Sequence, residues 1–116
     1  MKRFKVPIGG QKYTISLVRD DHKVFAGEDQ YGCTLAYKNT IYFAKGYSQS
    51  ALEDAYIHEC LGHAAFAVSG ANVMLAQNLK PGVDPFKFEE ELVQKLTLAW
   101  HPFLTHHKFQ FPKLGE

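Results

Sequence analysis

Two histidines and a glutamate lie close together in the segment HECLGH, which begins at His58 and ends at His63. Neutral imidazole is the commonest metal ligand among side chains, and zinc accepts it readily. A carboxylate beside such a ligand, here Glu59, can act as a general base toward water at the metal. The segment therefore predicts a zinc site with His58 and His63 as ligands and Glu59 as the catalytic base.

The spacing of the two histidines is one residue longer than the four-residue spacing with which two His side chains usually share zinc on a helix. In an ideal α-helix, residues five apart diverge by about 140°, too much for both imidazoles to reach one ion. A π-bulge restores their convergence, because five residues then complete about one turn. We therefore predict a local widening of the helix between His58 and His63, which Gly62 tolerates best.

A third protein ligand is expected, with an open coordination position left for water. Three consecutive glutamates, Glu89, Glu90 and Glu91, lie in a second predicted helix. The apolar stripe of that helix comprises Phe88, Leu92, Val93, Leu96, Ala99 and Trp100. Glu89 falls near the centre of the stripe, where an unpaired carboxylate is costly, whereas Glu90 and Glu91 point away from it and suit a charged helix start. Glu89 is the predicted third ligand, and Glu90 is the second choice.

The first half of the chain has the alternation of apolar and polar residues that is typical of strands. Residues 4–8 and 13–17 flank a turn that contains two glycines, and residues 33–37 and 41–44 flank a second turn. These patterns predict a small antiparallel sheet made of two hairpins.

The motif lies in a segment with helical features. Residues 50–53 form a capping box, SALE, in which the serine hydroxyl and the glutamate satisfy free backbone N–H groups. The helix should continue to about Val68, because Gly70 is a typical residue just beyond a helix end.

A second helix should open at Phe86 or Phe88 and be ended or bent by Pro102. Residues 106–116 have no clear period and form a predicted irregular tail. The predicted fold class is α+β, a single domain over residues 1–116 in which two packed helices follow the sheet.

Composition excludes several functional classes. The 116 residues are 46% apolar and 22% charged with a net charge of +1, a globular balance without the basic excess of a nucleic-acid-binding protein. No apolar run approaches membrane-spanning length, and the N-terminal residues lack the apolar core of a signal peptide. Cys33 and Cys60 give no disulfide framework, so we expect a cytoplasmic protein.

The segment from His58 to His63 resembles the H-E-x-x-G-H zinc motif of the dipeptidyl peptidase III family of gluzincins. The resemblance covers these six residues and the downstream acidic residues at 89–91, at a shorter spacing than in that family. It implies that His58 and His63 bind zinc, that Glu59 is the general base and that the acidic cluster supplies the third ligand. The order of elements resembles small zincin-like metallopeptidases of phage and prophage genomes, which normally carry H-E-x-x-H-A.

This resemblance implies one zinc ion per chain and hydrolysis of a peptide or protein substrate by water. In zincins an edge strand beside the motif helix holds the substrate as an added strand, and residues 41–44 are the predicted edge. Ile41, Tyr42 and Phe43 are therefore the expected substrate-binding residues.

An oxyanion stabiliser is also expected, and Tyr47, Tyr56 and His101 are candidates.

Other interpretations remain open at this stage. The histidines of the motif could be ordinary half-buried side chains, and a His/His/Glu site also accepts other divalent ions. Cys60 is better explained as a small buried hydrophobe than as a ligand, and His106 and His107 as a surface pair. The alternative function is a catalytically inactive zincin-like domain, for example one encoded by a phage, that binds other proteins. The oligomeric state is left open.

Overall fold

A four-stranded sheet is built by the first half of the chain in a computed structural model, which describes residues 3–28 and 30–115. The strands are β1 (Arg3–Ile8), β2 (Gln11–Val18), β3 (Gly32–Leu35) and β4 (Thr40–Ala44). Their order across the sheet is β1-β2-β4-β3, so β1 and β3 are the two edges. Of the predicted tail, Glu116 lies outside the described residues.

The sheet is mixed, which corrects the prediction of an antiparallel sheet. The two predicted hairpins exist, because β1 pairs antiparallel with β2 and β3 pairs antiparallel with β4. The hairpins join through a parallel pairing of β2 with β4, in which Ile15 is opposite Ile41 and Leu17 is opposite Phe43. All four of these side chains are buried, and this shared apolar surface explains why β4 lies inside the sheet.

The inner position of β4 also corrects the predicted substrate strand. Ile41, Tyr42 and Phe43 belong to a strand that is hydrogen-bonded on both sides, and Ile41 and Phe43 are fully buried. A peptide therefore has no free edge to pair with at β4. The edge strand of this half of the sheet is β3.

The second half of the chain is helical. The helical elements are α1 (Gln49–Tyr56), a π-helical segment (Ile57–Ala64), α2 (Ala65–Ser69), α3 (Ala71–Asn78) and α4 (Pro85–His106). The first three follow one another without a break, and together they form the predicted motif helix. The sheet and helices confirm an α+β fold, to which α3 adds a helix that the sequence pattern did not predict.

The ends of the motif helix are partly as predicted. Ser48 caps α1 by accepting a hydrogen bond from the N–H of Ala51, so the capping serine lies two residues before the predicted one, Ser50. Gly70 ends α2 in the left-handed conformation with φ of 80°, as predicted.

Helix α4 begins at Pro85 behind an Asp84 cap and continues past Pro102 to His106, so Pro102 does not end the helix, which was the first of the two predicted outcomes. Proline removes the hydrogen bond to the carbonyl four residues earlier, that of Leu98. Leu98 is strongly exposed, so water can satisfy this carbonyl on the outer face of the helix.

The main core lies between the sheet and the motif helix, and the irregular tail closes one end of it. Leu114 is buried in this core beside Leu52. The side chain of Gln49 accepts hydrogen bonds from the N–H groups of Leu114 and Gly115 at 2.7 Å and donates to the carbonyl of Pro112 at 2.8 Å. Within the described residues, no helix has both the length and the apolar character needed to cross a membrane.

Candidate metal centre

The π-helical segment brings the two motif histidines together. Residues five apart complete about one turn of a π-helix, so His58 and His63 project from the same side of the segment. Their Nε2 atoms are 3.2 Å apart, and their ring centroids are 4.9 Å apart. The predicted widening of the helix between the two residues is confirmed.

Gly62 has a packing role that differs from the predicted one. It lies in the helical conformation without a positive φ, and a Cβ atom there would be 2.3 Å from Cγ1 of Val93 in α4. Glycine at this position therefore lets the motif helix approach α4 closely. That approach carries the glutamates of α4 to the histidines.

The carboxylate of Glu90 lies within hydrogen-bond distance of Nε2 of both histidines. Its Oε1 is 2.8 Å from Nε2 of His58, and its Oε2 is 2.7 Å from Nε2 of His63. Glu89 instead accepts a hydrogen bond from Nδ1 of His63 at 2.6 Å. The helical wheel was right about burial, since the side chain of Glu89 is 17% exposed and that of Glu90 is 54% exposed. The group of described residues that could hold a metal nevertheless contains Glu90, the second choice, rather than Glu89.

The three side chains fit a zinc ion by donor chemistry and spacing. One donor atom from each of His58, His63 and Glu90 can be chosen so that all lie within 4.8 Å of one another. Donors bound tetrahedrally to one zinc at about 2.0–2.1 Å lie roughly 3.3 Å apart, close to the separation of the two Nε2 atoms. A carboxylate only accepts hydrogen bonds, so Glu89 holds the proton of His63 on Nδ1 and turns Nε2 toward the site.

The acidic side chains shift the protonation of this cluster. Burial by itself lowers the pKa of His63, but hydrogen bonds to Glu90 and Glu89 and the charge of Glu59 outweigh it and raise the pKa to about 9. The hydrogen bonds to His58 and His63 lower the pKa of Glu90 below its ordinary value. A metal ion bound at Nε2 of His63 must therefore compete with a proton at neutral pH.

Glu59 lies beneath the histidines and against the edge strand β3. It is 7% exposed, and its Oε1 accepts a hydrogen bond from the hydroxyl of Thr34 at 2.7 Å. Its Oε2 is 3.9 Å from Nε2 of His58. Burial raises the pKa of the Glu59 carboxyl, although Thr34 and the imidazoles oppose the shift. A carboxylate made more basic in this way suits a proton acceptor.

Thr34 was missed by the sequence analysis, because a lone threonine in a short strand has no distinguishing pattern.

An open groove of about 1190 Å³ passes over the cluster between β3 and the helices α3 and α4. None of the three predicted oxyanion stabilisers is among the described residues that line it. Tyr47 packs on Tyr31, and Tyr56 packs on Phe43 and Phe111.

The third candidate, His101, lies between the carboxylates of Glu53 and Asp54, with its Nε2 3.1 Å from Glu53 and its Nδ1 2.5 Å from Asp54. His101 thus joins α1 to α4 and, unlike Asp54, is not among the residues that line the groove. Cys60 is buried, and burial raises the pKa of its thiol to about 12, in agreement with a packing role.

Comparison with known proteins gives this chain no relative: no protein-family model, curated protein or solved structure matches it.

Proposed function

We propose that the protein is a zinc-dependent metallopeptidase in which His58, His63 and Glu90 hold one zinc ion per chain. The convergence of the two Nε2 atoms, 3.2 Å apart on a π-helical segment, is the observation that carries this proposal. A π-helical turn is uncommon and occurs mostly at functional sites. A carboxylate within hydrogen-bond distance of both nitrogens completes a donor set that zinc prefers.

A zinc ion held by His58, His63 and Glu90 would lower the pKa of water toward about 7 and would supply a Lewis acid for a peptide carbonyl. Glu59 accepts the proton of the water molecule as its oxygen attacks the carbonyl carbon of the substrate. Glu59 then delivers this proton to the amide nitrogen, and the carbon–nitrogen bond breaks to give a carboxylic acid and an amine. Thr34 holds one oxygen of Glu59, which leaves the other, Oε2, on the side of the histidines.

The edge strand β3 supplies a backbone surface for an extended substrate. In an antiparallel pair, alternate residues direct their N–H and C=O groups to the partner strand. The N–H of Ala44 donates to the C=O of Tyr31, so the same alternation directs Cys33 toward β4 and directs Gly32 and Thr34 outward. Gly32 and Thr34 also line the groove, where a peptide can add to the sheet as a further strand.

The test combines metal content with hydrolysis on the full chain purified without a histidine tag. We expect about one zinc per chain in the wild type and in Glu59→Gln, and none in His63→Ala. His106→Ala is the matched control, because His106 is an exposed histidine outside the metal cluster. Cleavage of fluorescein-labelled casein should occur with the wild type and the control, and be lost in Glu59→Gln and His63→Ala. Zinc-loaded wild type that cleaves no more casein than Glu59→Gln would refute the peptidase proposal.

Substitution of the two glutamates of α4 separates the ligand from its neighbour. Glu90→Gln should weaken zinc binding more than Glu89→Gln, because Glu90 contacts both Nε2 atoms and Glu89 contacts only Nδ1 of His63. Loss of a group that orients a ligand costs about 10–100-fold in metal affinity. A larger loss of zinc affinity in Glu89→Gln than in Glu90→Gln would identify Glu89 as the ligand instead.

We also propose a cytoplasmic location. Cys33 and Cys60 are both free thiols, which suits a reducing compartment. Fractionation of the producing cells with detection by antibody tests this, and recovery outside the cytoplasmic fraction would refute it.

A further inference from the structure

The wall of the groove opposite β3 carries large apolar side chains that face solvent. Val73 of α3 is 55% exposed, and Phe86 and Leu98 of α4 are 85% and 71% exposed. All three line the groove. Each would gain free energy by contact with an apolar partner.

Two of these side chains lie on opposite sides of the metal cluster along α4. Phe86 precedes Glu90 by four residues and Leu98 follows it by eight, and each residue of an α-helix adds about 1.5 Å along the axis. Phe86 is therefore about 6 Å to one side of Glu90, and Leu98 about 12 Å to the other. A chain that passes over the cluster along α4 can contact both.

The charge of the groove favours some side chains over others. Apart from its histidines, the charged side chains that line the groove are the carboxylates of Glu28, Asp54, Glu59, Glu89 and Glu90. Among the described lining residues there is no lysine or arginine. One bound zinc ion, with its charge of +2, would not balance these five carboxylates, so an acidic side chain in the groove would meet an excess of negative charge.

We propose that the groove binds an extended segment of a flexible polypeptide, placed so that the peptide bond to be cleaved lies at Glu90. This segment carries large apolar side chains on both sides of that bond and no acidic side chains there. This inference rests on the proposed peptidase function and adds the substrate class. Phe86 and Leu98 are then specificity-determining residues for opposite sides of the bond. The outward backbone groups of Gly32 and Thr34 suit an extended chain, and the exposed apolar side chains of α3 and α4 favour apolar side chains on that chain.

The experiment measures binding without hydrolysis, using zinc-loaded Glu59→Gln and three fluorescein-labelled synthetic peptides of equal length. One peptide carries leucine and phenylalanine at its centre, the second carries serine there, and the third carries glutamate. Fluorescence anisotropy should give the tightest binding to the apolar peptide and the weakest to the acidic one. Phe86→Ser and Leu98→Ser should each weaken binding of the apolar peptide by about tenfold, the effect of losing roughly half of a buried large side chain.

Phe103→Ser is the matched control, because Phe103 is an exposed residue of the same helix that does not line the groove. It should leave peptide binding unchanged. In the hydrolytic enzyme, Phe86→Ser and Leu98→Ser should each alter residue preference on one side of the cleaved bond, and on opposite sides. Equal binding of the three peptides, or equal effects of Phe86→Ser and Phe103→Ser, would overturn the inference. Groove-dependent binding by a protein without hydrolytic activity would support it while removing the peptidase proposal.

Discussion

Replacement of Gly62 by alanine tests whether the close approach of two helices builds the site. The new Cβ atom would lie 2.3 Å from Cγ1 and 3.1 Å from Cγ2 of Val93, against 3.4–4 Å for ordinary contact. Val93 is 1% exposed, and its β-branched side chain has few rotamers, so it cannot turn away. Relief therefore requires α4 to move outward by about 1 Å, the difference between these distances.

The cost follows from two opposing effects. Overpacking of a filled core costs about 1–3 kcal/mol, whereas alanine is favoured over glycine in a helix by about 1 kcal/mol. We expect Gly62→Ala to lower the free energy of unfolding by about 0–2 kcal/mol. Movement of α4 also displaces Glu90, one turn from Val93, by several times the roughly 0.2 Å that a zinc bond tolerates. Zinc affinity should therefore fall by about 10–100-fold.

Urea unfolding and competition with a chromophoric zinc chelator measure the two effects. The double variant Gly62→Ala/Val93→Ala removes both Cγ atoms of residue 93 but leaves its Cβ atom 3.3 Å from the new Cβ atom at position 62. Zinc affinity should therefore be only partly restored. The two substitutions should be coupled by about 1 kcal/mol or more. Leu61→Ala, at an exposed neighbour in the same segment, is the control and should retain zinc affinity. Strict additivity, or a Gly62→Ala variant with wild-type zinc affinity, would show that the helix contact does not position Glu90.

Three further predictions concern protons and hydrogen bonds. In the absence of metal the pKa of His63 is raised to about 9, so zinc affinity should rise about tenfold per pH unit between pH 7 and 8 and level off above pH 9. Calorimetry in buffers of different ionisation enthalpy should show release of about one proton per zinc ion bound at pH 7. A zinc affinity that does not change with pH would contradict this prediction. Thr34→Val should lower the free energy of unfolding in urea by about 1–3 kcal/mol, because Glu59 loses the hydrogen bond from the Thr34 hydroxyl. Thr34→Ser keeps a hydroxyl and should have nearly the stability of the wild type. Equal losses of stability in the two variants would exclude the hydroxyl as the cause. Gln49→Ala should release the C-terminal tail and speed proteolysis near Leu114, because the hydrogen bonds from the tail to the Gln49 side chain are lost. An unchanged rate of proteolysis would show that these hydrogen bonds do not hold the tail.

The sequence was sufficient to predict those features that depend on spacing along one helix. The five-residue separation of the histidines required a wider turn, and the structure has one. The burial of Glu89 also followed from its place on the apolar stripe. The helical wheel describes directions around a single axis, however, and contains no information about a second helix. For that reason it could not show that Glu90 reaches both Nε2 atoms from the exposed side.

Strand order was harder to predict, because alternation describes the two faces of a strand and not its neighbours. Ile41 and Phe43 alternate as they would in an edge strand, yet β4 pairs on both sides. β3 begins at Gly32, a residue of weak strand propensity, and forms the edge. The capping prediction failed for a related reason, since Ser48 and Ser50 are both good caps and the choice depends on where the preceding chain leaves the sheet.

The extra residue of the π-helical segment also sets the rotation of the helix on either side of it. Ala55 and Cys60 are five residues apart and both enter the main core, with Leu52 before them and Ala64 after them. In a uniform α-helix the two halves of this apolar face would be out of phase by about 100°. Deletion of one residue between His58 and His63 would bring the histidines to the common four-residue spacing and Leu52 to eleven residues from Ala64, about three turns of a regular α-helix. The core therefore needs the wide turn only while the extra residue is present. The wide turn thus serves the core as well as the two histidines, and substitution of His58 and His63 alone would leave in place the packing of Ala55 and Cys60 that depends on it.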